Sequence, residues 1–185
     1  TIVLGGTNEV LITIPEGFTL KQIEERLALA GLIKQNDLAN YRFSSVAPEI
    51  LSDKPKSASL EGYLFPDSYR FFKDAGLSDV VGKMIDNLDK KLTPDLKIAV
   101  KNSSYTIYEI LTMASLIEKE VKSDSDREIV SGVLWKRLKA KVPLQVDATL
   151  VYITGRREVS ESDKKINSPY NTYYYRGLPK GPISN

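Results

Sequence analysis

The sequence contains no cysteine and no histidine among its 185 residues. These two absences exclude disulfides, Ser-His-Asp and Cys-His catalysis, and zinc held by Cys or His. Any acid–base chemistry must therefore use Asp, Glu, Lys or Tyr. Composition alone leaves an oxygen-ligated metal site open. No calcium-loop spacing and no phosphate-binding glycine motif appears.

The sequence also lacks an excess of charge of one sign, because it has 26 Lys and Arg and 24 Asp and Glu, a net charge of +2. A nucleic-acid partner, which needs clustered cations, is therefore not expected. No run approaches the ~20 apolar residues that span a bilayer. The chain begins at Thr1, with no initiator methionine or signal peptide, so we interpret it as trimmed. The absence of cysteine is compatible with an extracytoplasmic location.

The first hundred residues show a strand followed by helices. Thr19 and Gln22 have the spacing of a capping box, and Gly31 would end that helix. The aromatic stretch Glu61–Phe71 predicts a rigid bend over a core. The other predicted elements are a strand at Val10–Ile14, a short helix near Asn36, a loop over Ser52–Ser59, a helix over Leu77–Leu88 with Val80, Val81, Met84, Ile85 and Leu88 buried, and a helix start at Thr93–Pro94.

The second half continues with helices and ends irregularly. From Thr106 the pattern predicts a helix with a buried face of Ile107, Ile110, Leu111, Ala114, Ile117 and Val121. A helix capped by Ser125 should follow, with the stripe Ile129, Val130, Val133, Leu134 and Leu138. Leu144–Thr154 is ambiguous between strand and helix, and Ser168–Asn185 holds no long regular element. The fold class is α+β, with helices dominating and a few short strands.

Two glutamates near the end of the Thr106 helix, Glu118 and Glu120, are candidates for acid chemistry. Residues two apart on a helix are separated by roughly 200°, so both cannot face one cleft. The long apolar neighbours Leu116 and Ile117 would desolvate Glu120 and favour its proton-donating form. The angular position favours Glu118, which lies nearer the middle of the apolar stripe. The alternative is that both are solvated charges beside Lys119.

The tyrosine-rich segment is a candidate sugar cleft. Tyr170, Tyr173, Tyr174 and Tyr175 surround an amide and a hydroxyl at Asn171 and Thr172. Sugar rings bind aromatic faces with hydrogen-bonding groups nearby, although the tyrosines could equally pin a loop to the surface. In addition, Gln145, Asp147 and Thr149 alternate with apolar residues and could share one face of an extended segment.

Five ordered motifs resemble the YceG-like family of endolytic murein transglycosylases. They are Glu61-Gly-Tyr-Leu-Phe-Pro-Asp67, Ala114-Ser-Leu-Ile-Glu-Lys-Glu120, Val133-Leu-Trp-Lys-Arg-Leu138, Pro143-Leu-Gln-Val-Asp147, and the segment from Ser168 to Asn185. The resemblance runs from about Ile14 to the end of the chain. Two positions depart from the family pattern, Ala148 where many members have Pro and Val121 where Thr or Ala is usual.

The resemblance implies a bacterial cell-wall enzyme whose substrate partner is the glycan strand of peptidoglycan. It implies one N-terminal membrane anchor with the catalytic domain outside the cytoplasmic membrane, and the cell-wall synthesis machinery as partner. It also implies a LysM-like subdomain before the catalytic domain. On this basis residues 1–14 are the remnant of the LysM-like part, and residues 15–185 are a catalytic region that continues beyond Asn185 in family members.

By family register the catalytic acid is the second glutamate, Glu120, with Glu118 as the alternative. The reaction implied is cleavage of the MurNAc–GlcNAc β-1,4 bond with formation of a 1,6-anhydroMurNAc end. This reaction requires no metal and no cofactor, so we predict neither. We expect five residues to hold the glycan: Gln145, Asp147, Tyr170, Asn171 and Tyr173. One rival interpretation is a hydrolase in which Asp147 or Glu61 activates water. The other is a non-catalytic glycan-binding or scaffold module.

Overall fold

The computed structural model describes the backbone of residues 3–5 and all of residues 8–43 and 47–185. These residues form two compact units, one of residues 1–107 together with Asn185, and one of residues 108–184. Helices and a small sheet make up the described chain, which confirms the α+β class. The boundary after Ile14 and the LysM-like subdomain stay predictions. Residues 1, 2, 6 and 7 of the 1–14 segment lie outside the described residues.

The first unit contains a three-stranded antiparallel sheet. Strands β1 (Val3–Gly5), β2 (Glu9–Thr13) and β3 (Ser68–Phe72) lie in that order. Val10 lies opposite Phe71 and Ile12 opposite Tyr69, and all four side chains are buried on one face. The predicted strand at Val10–Ile14 is confirmed with its start and end one residue earlier. The Glu61–Phe71 stretch ends in β3 and buries Tyr63 and Leu64 completely.

The helices of the first unit follow the predicted pattern. In α1 (Leu20–Leu29) the Thr19 hydroxyl accepts from the Gln22 backbone N–H at 3.3 Å, and the Gln22 side-chain Oε1 accepts from the Thr19 backbone N–H at 2.9 Å. Both bonds of the predicted capping box are therefore present. The remaining helices are α2 (Asp37–Asn40), a 3-10 turn at Glu49–Leu51, α3 (Leu77–Lys91), which buries all five predicted stripe residues, and α4 (Pro94–Asn102).

The second unit packs three helices around an irregular C-terminal segment. They are α5 (Ile107–Glu120), α6 (Asp124–Lys139) and α7 (Asp147–Thr154), followed by a 3-10 turn at Asp163–Lys165. The prediction that Ser168–Asn185 has no long regular element is confirmed. The hydrophobic core of the second unit consists of Met113, Leu116, Leu134, Leu144, Val146, Ala148 and Ile183.

The buried face predicted for α5 is wrong. The residues it buries are Thr112, Met113, Ser115 and Leu116, and Ala114 is exposed. The hydroxyls of Thr112 and Ser115 donate to backbone carbonyls of their own helix, which permits their burial. The Ser115 oxygen also accepts the Ile183 N–H at 3.0 Å. A pattern of large aliphatic residues misses this face because two of its members are hydroxyl residues.

Two further predictions need correction. The N-cap of α6 is Ser123 rather than Ser125, and only Leu134 of its predicted stripe is buried, with Ile129 67% exposed. The ambiguous segment Leu144–Thr154 contains helix α7, so Asp147 and Thr149 do not share a face of an extended segment. Gln145 precedes the helix with a positive φ of 57°, and Thr149 is fully buried. The alternation of Gln145, Asp147 and Thr149 with apolar residues therefore does not mark an extended segment.

Candidate active site

Glu120 lies where the end of α5 meets the start of α7. Its Oε1 accepts a hydrogen bond from the Ala148 N–H at 3.2 Å. Ala148 is the second residue of α7, where backbone N–H groups have no partner inside the helix and are available to an anion. No described residue donates to Oε2, and the side chain is exposed. One oxygen is thus anchored while the other is open to a ligand.

Glu118 has a different environment. Its two carboxylate oxygens lie 3.3 and 3.0 Å from Nη2 of Arg127 on α6, and the pair is half-buried. A guanidinium partner favours the ionised carboxylate, which cannot donate a proton. The predicted angular separation of Glu118 and Glu120 agrees with these contacts, because one side chain reaches α6 and the other α7. The desolvation argument for Glu120 does not agree, since that side chain is exposed.

Asp147 and Tyr173 form a pair beside Glu120. The Tyr173 hydroxyl donates to Asp147 Oδ1 at 2.5 Å. Burial, this hydrogen bond and the charges of Asp147, Glu120 and Glu161 raise the pKa of Tyr173 to about 12. The phenol therefore stays protonated at neutral pH and acts as a donor. Because the charge of Glu120 contributes to the raised pKa of Tyr173, the predicted acid lies in the same neighbourhood as two predicted binding residues, Asp147 and Tyr173.

Lys164 completes this neighbourhood, and the sequence offered no signal for it. Its Nζ lies 5.2 Å from the centroid of the Tyr173 ring, and it donates to Glu161 at 2.6 Å. The hydrogen bond to Glu161 raises the pKa of Lys164, and the charges of Glu161 and Asp147 add to this. A cation over an aromatic face restrains the ring. Lys164 comes from a 3-10 turn nine residues before Tyr173, a spacing that no motif covers.

Gln145 presents its side chain at the surface two residues before Asp147. Its N–H donates to the Thr172 carbonyl at 3.1 Å, and its Oε1 accepts from Arg137 Nη2 at 2.5 Å. The side-chain nitrogen has no partner among the described residues and can donate to a ligand. The Val146 N–H donates to the Thr172 hydroxyl at 3.0 Å. This pair of contacts ties the tyrosine-rich loop to the segment leading into α7.

Asn171 is buried and organises the loop. Its amide nitrogen donates to the carbonyls of Ile166 and Lys164 at 2.8 and 3.1 Å. Its amide oxygen accepts the N–H groups of Tyr173 and Tyr174 at 2.9 and 3.2 Å. These bonds occupy the polar atoms of the side chain, so Asn171 positions Tyr173 instead of facing a ligand.

Tyr170 is half-buried against the core, with its ring centroid 5.0 Å from that of Tyr152. Of the predicted binding residues, Asp147 and Tyr173 therefore lie near Glu120, and Gln145 presents an exposed polar side chain two residues before Asp147. Asn171 is buried, and the Tyr170 ring packs on Tyr152. Thr172 and Thr149, whose hydroxyls lie 3.0 Å apart in the interior, support the same loop. Sequence reasoning missed this hydroxyl pair because burial of two threonines has no periodic signature.

Glu61, the other carboxylate considered for water activation, lies in the first unit. It is 4% exposed, and its Oε1 accepts from the Leu20 N–H at 2.7 Å and from Asn185 Nδ2 at 2.6 Å. It thus satisfies the start of α1. Within the described residues, no group of three or more acidic side chains could hold a metal ion. None of the helices in the described chain is long and apolar enough to cross a bilayer.

The described chain thus combines an α+β fold with an exposed glutamate, Glu120, that is held by a backbone N–H at the start of α7. The whole chain, residues 1–185, matches the YceG-like family and belongs to it. It is 35% identical over 189 residues to an endolytic murein transglycosylase of Bacillus subtilis, covering 94% of this chain and 52% of the relative. It is 32% identical over 212 residues to the enzyme of that name from Streptococcus pneumoniae, covering 98% and 38%.

A solved structure shows the same fold. A crystal structure of a YceG-like protein from Listeria monocytogenes superposes with a TM-score of 0.80 at 31% identity, covering 95% of this chain and 62% of that chain. The chain therefore spans about half the length of the curated relatives it matches or less, between 38% and 52%.

Proposed function

We propose that this chain carries the catalytic region of a peptidoglycan lytic transglycosylase, with Glu120 as its general acid and then its base. The observation that carries the proposal is the contrast between the two glutamates. Glu118 is bound to Arg127, whereas Glu120 has one backbone donor and one open oxygen beside Asp147 and Tyr173. The names of the two bacterial relatives support the reaction class.

In the proposed mechanism, protonated Glu120 donates its proton to the glycosidic oxygen between MurNAc and GlcNAc. The bond from that oxygen to C1 of MurNAc breaks, and an oxocarbenium-like transition state forms. The resulting carboxylate takes the proton of the MurNAc C6 hydroxyl, whose oxygen bonds to C1 and closes the 1,6-anhydro ring. No water is consumed, so the products together weigh the same as the substrate. The chemistry needs neither a metal nor a cofactor.

The surroundings of Glu120 suit this cycle. The Ala148 N–H and the start of α7 stabilise the carboxylate that forms after the first proton transfer. In the proposal the Gln145 amide, Asp147 and the Tyr173 ring hold the glycan. Asn171 fixes the backbone of Tyr173, and Tyr170 packs on Tyr152. Such positioning groups contribute by fixing the C6 hydroxyl close to C1.

The resemblance also suggests how the whole protein works. We propose that a preceding LysM-like subdomain and a single-pass anchor hold this region outside the cytoplasmic membrane, where it acts on nascent strands alongside the cell-wall synthesis machinery. Fusion of a reporter enzyme active only outside the cytoplasm to the end of the full-length protein tests the location. A full-length fusion that is produced but shows no reporter activity would contradict it.

The reaction is tested by digesting purified peptidoglycan and weighing the fragments. We expect anhydro-ended fragments from the unmodified chain and a loss of about 10²- to 10⁴-fold in Glu120→Gln, because general acid catalysis contributes that much. Glu118→Gln is the matched control, because it makes the same change two residues earlier on the same helix. It should keep most of the activity.

Other outcomes identify the rivals. Loss confined to Glu118→Gln would reverse the assignment of the acid. Fragments heavier by one water would indicate a hydrolase in which Asp147 activates water. Glycan binding without any cleavage, in the full-length protein as well, would indicate the binding or scaffold module.

A further inference from the structure

The first unit contains a cleft of about 500 Å³ that the proposed reaction does not use. It lies between the residues following α2 and the loop of residues 52–59. Its interior includes the buried side chains of Leu38, Leu51 and Leu60. Arg42, Lys54 and Lys56 line it as well, and none of the lining residues that the structure describes is acidic. The cleft therefore combines an apolar interior with a positive charge that its lining residues do not neutralise.

The three cations have no ion-pair partner in the described part of the chain. Arg42 donates to its neighbour's carbonyl, that of Tyr41, at 2.7 Å. Lys54 Nζ donates to the carbonyls of Ala58 and Pro55 at 2.5 and 3.2 Å, which uses two of its three protons. Burial and the nearby charge of Arg42 lower the pKa of Lys54. The two cations therefore repel each other, and an anion between them would relieve that repulsion.

Two aromatic rings stand beside these cations. The rings of Tyr41 and Phe43 are in edge contact with centroids 5.0 Å apart, and both side chains are half-buried along the cleft. Ser57 and Ser59 add hydroxyls to its lining. Concave sites with an apolar interior and a few polar groups are typical of small-ligand binding. The lining thus suits a ligand with an apolar body and at least one anionic group.

We propose that this cleft binds the carboxylates of peptidoglycan stem peptides through Arg42, Lys54 and Lys56, with the aliphatic part of the peptide against Tyr41 and Phe43. The identity of the polymer rests on the proposed function. Stem peptides attached to MurNAc carry free carboxylates on short aliphatic residues, which matches both halves of the lining. A phosphate polymer would match the cations only, because it has no apolar body for the rings and leucines.

The test measures binding by calorimetry with the Glu120→Gln chain, which prevents turnover. The ligands are a GlcNAc-MurNAc disaccharide with a tetrapeptide and the same disaccharide without it. We expect the peptide-bearing ligand to bind more tightly and the combined change Arg42→Gln and Lys56→Gln to weaken it about tenfold or more, as for lost charge-assisted hydrogen bonds. Lys54 is left unchanged because its bonds to carbonyls hold the loop.

The matched control changes two exposed cations elsewhere in the first unit, Lys21→Gln and Lys73→Gln, so that the net charge falls equally. Affinity equal to that of this control would overturn the proposal. Equal binding of the two disaccharides, or tighter binding of a poly(glycerol phosphate) probe, would overturn it too. Cleavage is measured separately, in chains that keep Glu120, where the cleft variant should cleave peptide-free glycan as well as the unmodified chain does. Absence of anhydro products from both would count against the proposed function and not against the cleft.

Discussion

At the scale of single residues, the two glutamates of α5 differ by their partners rather than by their sequence neighbours. Glu118 is held by the Arg127 guanidinium, and Glu120 by one backbone N–H of α7. Register in the family motif pointed to Glu120, but the desolvation by Leu116 and Ile117 that also favoured it is absent, because the side chain is exposed. The assignment therefore rests on register and on the contacts that Glu118 makes.

The Tyr173 hydroxyl gives a prediction at the same scale. Tyr173→Phe keeps the ring beneath Lys164 but removes the hydrogen bond to Asp147. We expect activity on peptidoglycan to fall about tenfold, since a charge-assisted hydrogen bond contributes ~1.5–3 kcal/mol. The change should appear in kcat at saturating substrate if the bond positions Asp147 for the reaction.

Tyr174→Phe is the control for this variant, because Tyr174 is exposed and its hydroxyl has no hydrogen bond within the described residues. Equal activity of the two variants would remove the Tyr173–Asp147 pair from the proposed site. A rise in KM alone would limit its role to holding substrate.

At the scale of elements, the C-terminal segment is held against α5 at Gly181. A Cβ added there would lie 2.3 Å from the Tyr108 hydroxyl oxygen, which itself donates to the Lys180 carbonyl at 2.8 Å. We expect Gly181→Ala to displace this hydroxyl and lower the free energy of unfolding by ~1–3 kcal/mol, the usual cost of overpacking. Denaturant unfolding measures the change.

Gly132→Ala in the middle of α6 is the opposite case. Nothing lies within 4 Å of its added Cβ, so the variant should gain ~0.5–1 kcal/mol from the lower conformational entropy of alanine. A stable Gly181→Ala variant would show that the segment after Gly177 can shift without cost.

The elements also show where periodicity succeeds and fails. Helix α3 buries all five residues of its predicted stripe, because it is amphipathic and these residues share one face. Helix α6 buries only Leu134 of its predicted stripe and leaves Ile129 and Val133 exposed. A hydrophobic stripe indicates which face can be buried, but burial also requires a neighbour that covers it.

At the scale of the whole molecule, three tyrosines link stability to alkaline pH. Burial is the main cause that raises the pKa values of Tyr69, Tyr108 and Tyr173 to about 12 from 10.0. Because the folded pKa is above the unfolded one, the fold binds these protons more tightly. Their stabilisation is complete below pH 10 and is lost as the pH rises towards 12.

We therefore expect the free energy of unfolding, measured by denaturant titration, to fall between pH 10 and 12. Tyrosinate absorbance should show a late ionisation step that disappears on unfolding. Tyr69→Phe serves as control, because removal of one raised phenol should make the decline shallower. Complete ionisation near pH 10 in the folded chain would contradict the prediction.

The sequence by itself determined the chemistry that remains available, the α+β class, most element positions and the family. The absence of His and Cys, the capping box at Thr19 and the ordered motifs are properties of composition or of residues close together in the sequence, so the sequence alone shows them. Only the tertiary structure decided which face of α5 is buried, that Asp147 begins a helix, and that Lys164 covers Tyr173. These features depend on contacts between residues that are not neighbours along the chain, and a local sequence pattern does not specify such contacts.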